Sequence, residues 1–242
     1  MDNIAKSFAP AGMLRVGINF GNPVVVQKDA SGTPRGVGPA LASELASRLG
    51  IRLMYVAYET AGKMADAVKT NAWDVAFLAR DPARATDIDF SAPYMLIEGT
   101  YMVPRDSALR TVAEVDREGV RIAVGHNTAY DLFLAREIKH ATLVRAASSA
   151  AAIEQFRAEK LEVVAGVRQP LEAAAKANPD CRVMDGGFMS IGQAAGVPRG
   201  RAQAAAYLYR FIEEAKANGF VAKALAASGQ GATVAPAEGS PR

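Results

Sequence analysis

Cysteine is almost missing: Cys181 stands alone, so no internal disulfide can staple the chain. Histidine is nearly as scarce, with only His126 and His140, and no cluster of side chains has the spacing of a zinc site. Metal chemistry is not expected, and no motif calls for a cofactor. Long apolar runs are missing too; none reaches the roughly 18 residues that a membrane-crossing helix needs. The first residues, "MDNIAKSFAPAGMLRVG", carry neither the basic segment nor the apolar core of a secretory signal. A chain whose native start is Met1 is therefore expected to stay in the cytoplasm, and an exported one to have lost its leader. A dominant charge is absent as well. Twenty-eight Lys and Arg face 25 Asp and Glu, and the basic residues are scattered along the chain, with no stripe of aromatics between them. Nucleic acid is not an expected partner.

What is present is a globular composition: 242 residues, half of them hydrophobic and 22% charged, enough for one large domain or two of about 100 residues. "LRVGINF" (14–20) reads as a strand, and Pro39 to Leu49 as a helix with Leu41, Leu45 and Leu49 on one stripe and Gly50 as its stop. "IRLMYVAY" (51–58) is a second strand, Met64 to Lys69 a short helix, and "DVAFLA" (74–79) a third strand. Strands apolar on both faces, alternating with helices, predict a parallel sheet covered on both sides. The pattern returns with "VRIAVG" (120–125), a helix from about Tyr130, "TLVR" (142–145), a helix over 149–159 and "LEVVAG" (161–166). A further helix, Arg201 to Ala217, shows Tyr207, Leu208, Phe211 and Ile212 on one face and needs a partner surface.

The fold class expected is therefore α/β: two α/β lobes with mainly parallel sheets, joined by two crossover strands. Residues 1–100 plus 193–228 form lobe one and 101–192 lobe two, while 229–242, small and rich in Gly and Pro, is expected to be a disordered tail. Two extended segments, 97–109 and 188–200, are the crossings, with bending expected near 99–103 and 190–194. In open parallel sheets ligands sit outside the carboxyl ends of the strands, which predicts a site in the cleft between the lobes.

The loops after the strands supply the candidates. Phe20 offers a flat apolar wall, and Gly21 lets backbone approach a ligand, although from these residues alone a hairpin-like turn with Phe20 in the core is the favoured reading. Arg84, five residues past Ala79, presents a rigid fork of donors suited to a carboxylate; mutual pairing of Arg80, Asp81, Arg84 and Asp87 on the surface is the alternative. Asn127 and Thr128 stand at a helix start, where free amides bind anions and where side chains also cap. Arg168 is either a second anion clamp or a solvated arginine. His126 has no acid–base partner that the sequence can place. Cys181, in "NPDCRV", is expected to be an inert, partly buried thiol at a short strand.

Three stretches carry a resemblance: "LRVGINFGNP…GTPRGVGPALASELASRLG", "AWDVAFLARDPARATDIDFSAPY" and "RIAVGHNTAYDLFL". Over about residues 13 to 228 the chain resembles the type II periplasmic solute-binding proteins of ABC importers, family 3, of polar amino acid type. The Arg-x5-Phe-Ser-x-Pro-Tyr element, here Arg84 to Tyr94, is the most specific part. The resemblance implies that Arg84 holds a ligand carboxylate, that Phe77 and Ala79 line the ligand through their backbone, and that Thr128 with the neighbouring amides of Asn127 and Ala129 completes the site from lobe two. It implies a monomer working in the periplasm with an inner-membrane ABC permease, binding without catalysis. Two departures stand out: Ala79 replaces the usual hydroxyl residue, and no acid stands near Val167 to hold an ammonium. The expectation is a ligand lacking that ammonium, an organic acid or a dicarboxylate bridged by Arg84 and Arg168. The same fold also resembles cyclohexadienyl dehydratases, whose chemistry needs a carboxyl group in the cleft. The candidates Glu59, Glu162 and Glu172 are expected to face solvent. A ligand-sensing adaptor is a third reading.

Overall fold

The computed structural model describes residues 3–239 and divides the chain into two units: one made of Met1–Leu96 with Gly192–Arg242, the other of Ile97–Ile191.

The first unit begins with helix α1 (Asn3–Phe8), followed by strand β1 (Met13–Asn19) and a small hairpin of β2 (Gln27–Lys28) and β3 (Pro34–Arg35). Helix α2 (Val37–Leu49) buries Leu41, Leu45 and Leu49 as the stripe predicts and ends at Gly50, whose left-handed backbone sends its N–H back to Ala46 and Ser47. Then come β4 (Arg52–Tyr58), α3 (Ala61–Asp66), capped by the Thr60 hydroxyl, and the fully buried β5 (Val75–Ala79). β1 pairs in parallel with both β4 and β5. Beneath β5 lies a cluster of Met64, Val68, Trp73, Leu78 and Ile88, with the Trp73 indole N–H bonded to the Met64 carbonyl at 2.8 Å.

One strand is much longer than the sequence pattern predicts. β6 (Ile88–Pro104) runs for 17 residues, and its course passes from the first unit into the second between Leu96 and Ile97. Its apolar residues are interrupted by Gly and Pro, and those residues read as loop signals in sequence although pairing keeps them extended.

The second unit continues with β7 (Arg121–Gly125), α4 (Ala129–Glu137), β8 (Thr142–Ala146), α5 (Ser149–Ala158), β9 (Val163–Val167), α6 (Arg168–Ala177) and β10 (Cys181–Val183). β7 lies parallel between β8 and β9, while β6 joins β9 and β10 antiparallel. Phe156, Leu161, Val164, Leu171 and Cys181 share its core. Cys181 is buried more fully than expected, and burial pushes its thiol above the ordinary value.

β11 (Met189–Pro198) returns to the first unit and pairs antiparallel with β5. Helix α7 (Ala202–Ala217) buries Leu208, Phe211 and Ile212 and packs on α1, where the Phe8 and Tyr207 rings meet edge-on at 5.8 Å. The partner surface that α7 needs is thus partly an N-terminal helix the periodicity does not reveal. Helix α8 (Phe220–Ser228) follows. Asp74, only 1% exposed, gathers the Arg15 guanidinium at 2.8 Å and Arg201 at 3.0 Å, fastening β1 and the start of α7 to the head of β5.

The cuts between units fall at 96/97 and 191/192, against 100/101 and 192/193 expected. The disordered tail needs correction for residues 229–239. Strand β12 (Thr233–Val234) pairs with Leu96 and Met95 of β6, and Ala235 is buried. Its small residues, which look like linker in sequence, suit close packing on a sheet edge. Residues 240–242 lie outside the described part. No helix among the described residues is long and apolar enough to cross a membrane.

Candidate functional site

In the first unit, β1 and β5 are parallel neighbours, so Phe20, Phe77 and Ala79 stand at the same carboxyl edge of the sheet. The Phe20 ring carries the Lys28 ammonium on its face, 4.3 Å from the centroid, a cation–π contact that the sequence reading missed. Gly21 serves packing: a Cβ there would lie 2.4 Å from the Glu59 carbonyl oxygen, so the close approach is to the protein's own backbone. Phe77 and Ala79 are buried, their backbones laddered to Ala195 and Gln193 of β11, and the Phe77 ring meets Tyr94 edge-on.

Arg84 lies in a short 3-10 turn that folds back on the end of β5, and its Nη1 donates to the Ala79 carbonyl at 3.1 Å. Its residue exposure is 5%, and burial pushes the guanidinium down to about 10, with Asp81 and Asp66 acting in the opposite direction. Charges in this stretch divide unlike the surface pairing that spacing allows. Arg80 is half-exposed and pairs with Glu238 at 2.9 Å. Asp81, expected at the surface, is 4% exposed, and its Oδ1 accepts the Ala83 N–H at 2.8 Å, an Asx turn that starts the loop on which Arg84 rides.

In the second unit, β7 and β9 are parallel neighbours, which puts Asn127, Thr128 and Ala129 at the same sheet edge as Arg168. Thr128 caps α4: its hydroxyl accepts the Asp131 N–H at 3.1 Å and donates to the Gly125 carbonyl at 2.9 Å. Asn127 holds a left-handed backbone and gives its N–H to Asp131 Oδ2 at 2.8 Å, and Ala129 is buried. Asp131 is the residue the reading overlooked. Its buried carboxylate already sits at the helix start, where the field favours an anion, and takes the Arg145 Nε–H at 2.9 Å. The signal was in the sequence: an acid three residues after a Thr cap. His126 Nδ1 stands 3.9 Å from the same carboxylate.

Arg168 is neither a solvated arginine nor an uncommitted clamp. Its Nε donates to Glu98 at 2.6 Å, Nη2 to the Gly186 carbonyl at 2.7 Å, and both terminal nitrogens to Met184; Glu172 lies 3.5 Å away. The hydrogen bond to Glu98 leads the effects that raise its guanidinium above the ordinary value. Sequence reasoning could not pair residues 70 apart whose strands, β6 and β9, are antiparallel neighbours with Gly99 opposite Val167. Among the acids weighed for catalysis, Glu59 has its side chain 87% exposed beside Lys63, Glu162 pairs with Arg121, and Glu172 is half-exposed. No group of three or more potential metal ligands occurs among the described residues.

Solved structures share this fold. The solute receptor for L-cysteine of Neisseria gonorrhoeae superposes with a TM-score of 0.80 at 21% identity, over 93% of this chain and 92% of its own. A histidine kinase sensor domain with similarity to periplasmic binding proteins gives 0.78 at 19% identity, over 92% and 98%. An ancestral amino acid-binding protein, a precursor of cyclohexadienyl dehydratase, gives 0.77 at 20%, over 93% and 99%. At such identities the likeness shows the fold. Among curated protein sequences no match was found. The profile of bacterial extracellular solute-binding proteins, family 3, matches residues 14–227, and the chain belongs to that family.

Proposed function

We propose that this protein is the solute-binding component of an ABC importer, working outside the cytoplasmic membrane. It takes up a small carboxylate-bearing solute, amino acid-like or an organic acid, and closes its two lobes around it without breaking a bond. The observation that carries this reading is Arg84: a guanidinium withdrawn from water at the carboxyl edge of β1 and β5, with its pKa pushed down to about 10 by burial. A cation held at that cost gains more from an incoming carboxylate than an exposed arginine does, and the gain favours the form that encloses the ligand. Family membership supports the same role.

The dicarboxylate bridge between Arg84 and Arg168 is not retained, because Arg168 already spends its donors on Glu98, Met184 and Gly186. Glu98 places a carboxylate beside the β9 loop that has no acid of its own, so amino acids stand next to plain carboxylates as candidate ligands. A thermal-shift panel of L-amino acids and simple organic acids identifies the class. Arg84→Ala is expected to weaken binding of any hit by about 2 to 5 kcal/mol while the protein stays folded. Unchanged affinity places the carboxylate site elsewhere.

One observation favours a second reading, an elimination of the dehydratase type. Asp81 is a buried acid whose charge acts on Arg84, and the fold is shared with a dehydratase precursor. Incubation with prephenate and arogenate decides it: turnover that disappears in Asp81→Asn establishes the enzyme, and none leaves the binding role.

A further inference from the structure

The C-terminal segment 233–239 makes an unusual set of attachments, all within the first unit. β12 pairs with Met95 and Leu96, and the Ala235 N–H reaches the Tyr94 carbonyl at 3.2 Å. Helix α7 offers Tyr209, Glu213 and Lys216, spaced i, i+4 and i+7 on one face. The Tyr209 hydroxyl donates to the Gly239 carbonyl at 2.7 Å and Lys216 Nζ to Pro236 at 2.9 Å, while Glu213 holds the same ammonium at 2.5 Å. The Lys216 side chain is 5% exposed, and an ammonium taken out of water that far needs such partners, so the Pro236 carbonyl is an integral part of its solvation. Glu238 adds the ion pair to Arg80, whose own N–H binds the Gly192 carbonyl of β11.

The position of these attachments matters. Met95 and Leu96 are the last two residues of β6 in the first unit, and in the second unit the β6 ladder with β9 starts at Gly99. Only Ile97 and Glu98 lie between the two ladders. On the returning chain, Gly192 is tied to Arg80 and Phe188 to Gly99, with 189–191 between them.

We propose that residues 233–239 are a brace that ends the rigid part of β6 at Leu96 and so confines bending of the chain to Ile97 and Glu98. Its consequence for ligand capture rests on the importer reading above; the brace itself does not. Without it, residues 94–96 lose the hydrogen bonds they make to the C-terminal segment, β6 keeps β11 as its neighbour in the first unit, and the bend spreads back toward Tyr94.

The test uses the full chain without ligand. Ala235→Pro removes the donor to Tyr94, and Glu238→Ala removes the ion pair at the surface; hydrogen exchange is followed by mass spectrometry. At least tenfold faster exchange of amides 94–98 is expected in Ala235→Pro and a smaller rise in Glu238→Ala, with β7 amides 121–125 unchanged in both. Unchanged exchange at 94–98 while amides 233 and 234 exchange freely would overturn the brace. If Ala235→Pro fails to fold, Glu238→Ala alone decides: loosening at 94–98 supports the brace, and its absence refutes it. Because no ligand is present, failure of the Arg84 experiment leaves this result untouched, and the reverse holds as well.

Discussion

Arg84 and Tyr94 bracket the most specific motif of the sequence, and they carry opposite kinds of buried polarity. Arg84 holds a charge that burial disfavours, so replacing it relieves a cost in the ligand-free protein; that is why the alanine variant is expected to fold even though its side chain is buried and not exposed as a surface arginine would be. Tyr94 is wholly buried, burial pushes its phenol well above the ordinary value, and its hydroxyl has no hydrogen-bond partner among the described residues. A buried hydroxyl left unpaired costs about 1 to 3 kcal/mol. Tyr94→Phe keeps the ring against Phe77 and removes only the oxygen. It is expected to raise stability by about 1 kcal/mol in urea unfolding, and a loss instead means that the hydroxyl is satisfied in solution. The motif was legible as Arg-x5-Phe-Ser-x-Pro-Tyr, but burial of its two ends was not, because exposure depends on what packs over a residue.

Elements in this chain are positioned by contacts at their ends. Gly125 closes β7 just before the cap of α4, and a Cβ there would stand 2.8 Å from the Ser149 nitrogen and 3.0 Å from the Ser148 carbonyl carbon, both backbone atoms at the start of α5. Backbone cannot swing aside as a flexible side chain does. Gly125→Ala is therefore expected to destabilise the protein by about 1 to 3 kcal/mol, read as a lower urea midpoint. An unchanged midpoint would show that α5 slides without cost. Helix existence followed from the apolar stripes of α2 and α7, and strand β5 from its unbroken apolar run. The long β6 and short β12 escaped because Gly and Pro within β6, and Gly231 and Pro236 on either side of β12, imitate loops, and pairing overrides those local signals.

Across the whole molecule, the most consequential electrostatic knot is Asp74. Burial alone would raise its carboxyl, but hydrogen bonds from the Arg15 side chain and backbone, then from Arg201, outweigh it and hold the group below the ordinary aspartate range. The unfolded chain therefore binds this proton first as pH falls. The stabilisation is complete above about pH 4, near the unfolded aspartate value, and is lost as pH drops through the depressed one. Urea midpoints measured between pH 5 and 2 are expected to fall steeply below about 4, and to fall less in Asp74→Asn, which has no such proton to bind. A variant with the same pH slope as the parent would assign the acid sensitivity to other carboxylates. Asp74→Ala, which strands two arginines, is expected to cost about 3 to 5 kcal/mol at neutral pH.

By itself the sequence determined what is local: the alternation of strands and helices from β1 to β5 and from β7 to β9, the apolar faces, the α/β class, and a motif specific enough to name a family. These depend on periodicities of 3.6 and 2 residues and on near-neighbour spacing. Only the tertiary structure decided which charges are spent. Arg168 meets a glutamate 70 residues earlier, Arg80 meets Glu238, and Asp131 takes the Asn127 N–H at the start of α4. Ion pairing and desolvation are settled by distances across the fold, and residues far apart in the chain carry no mark of them until strands and helices bring them together.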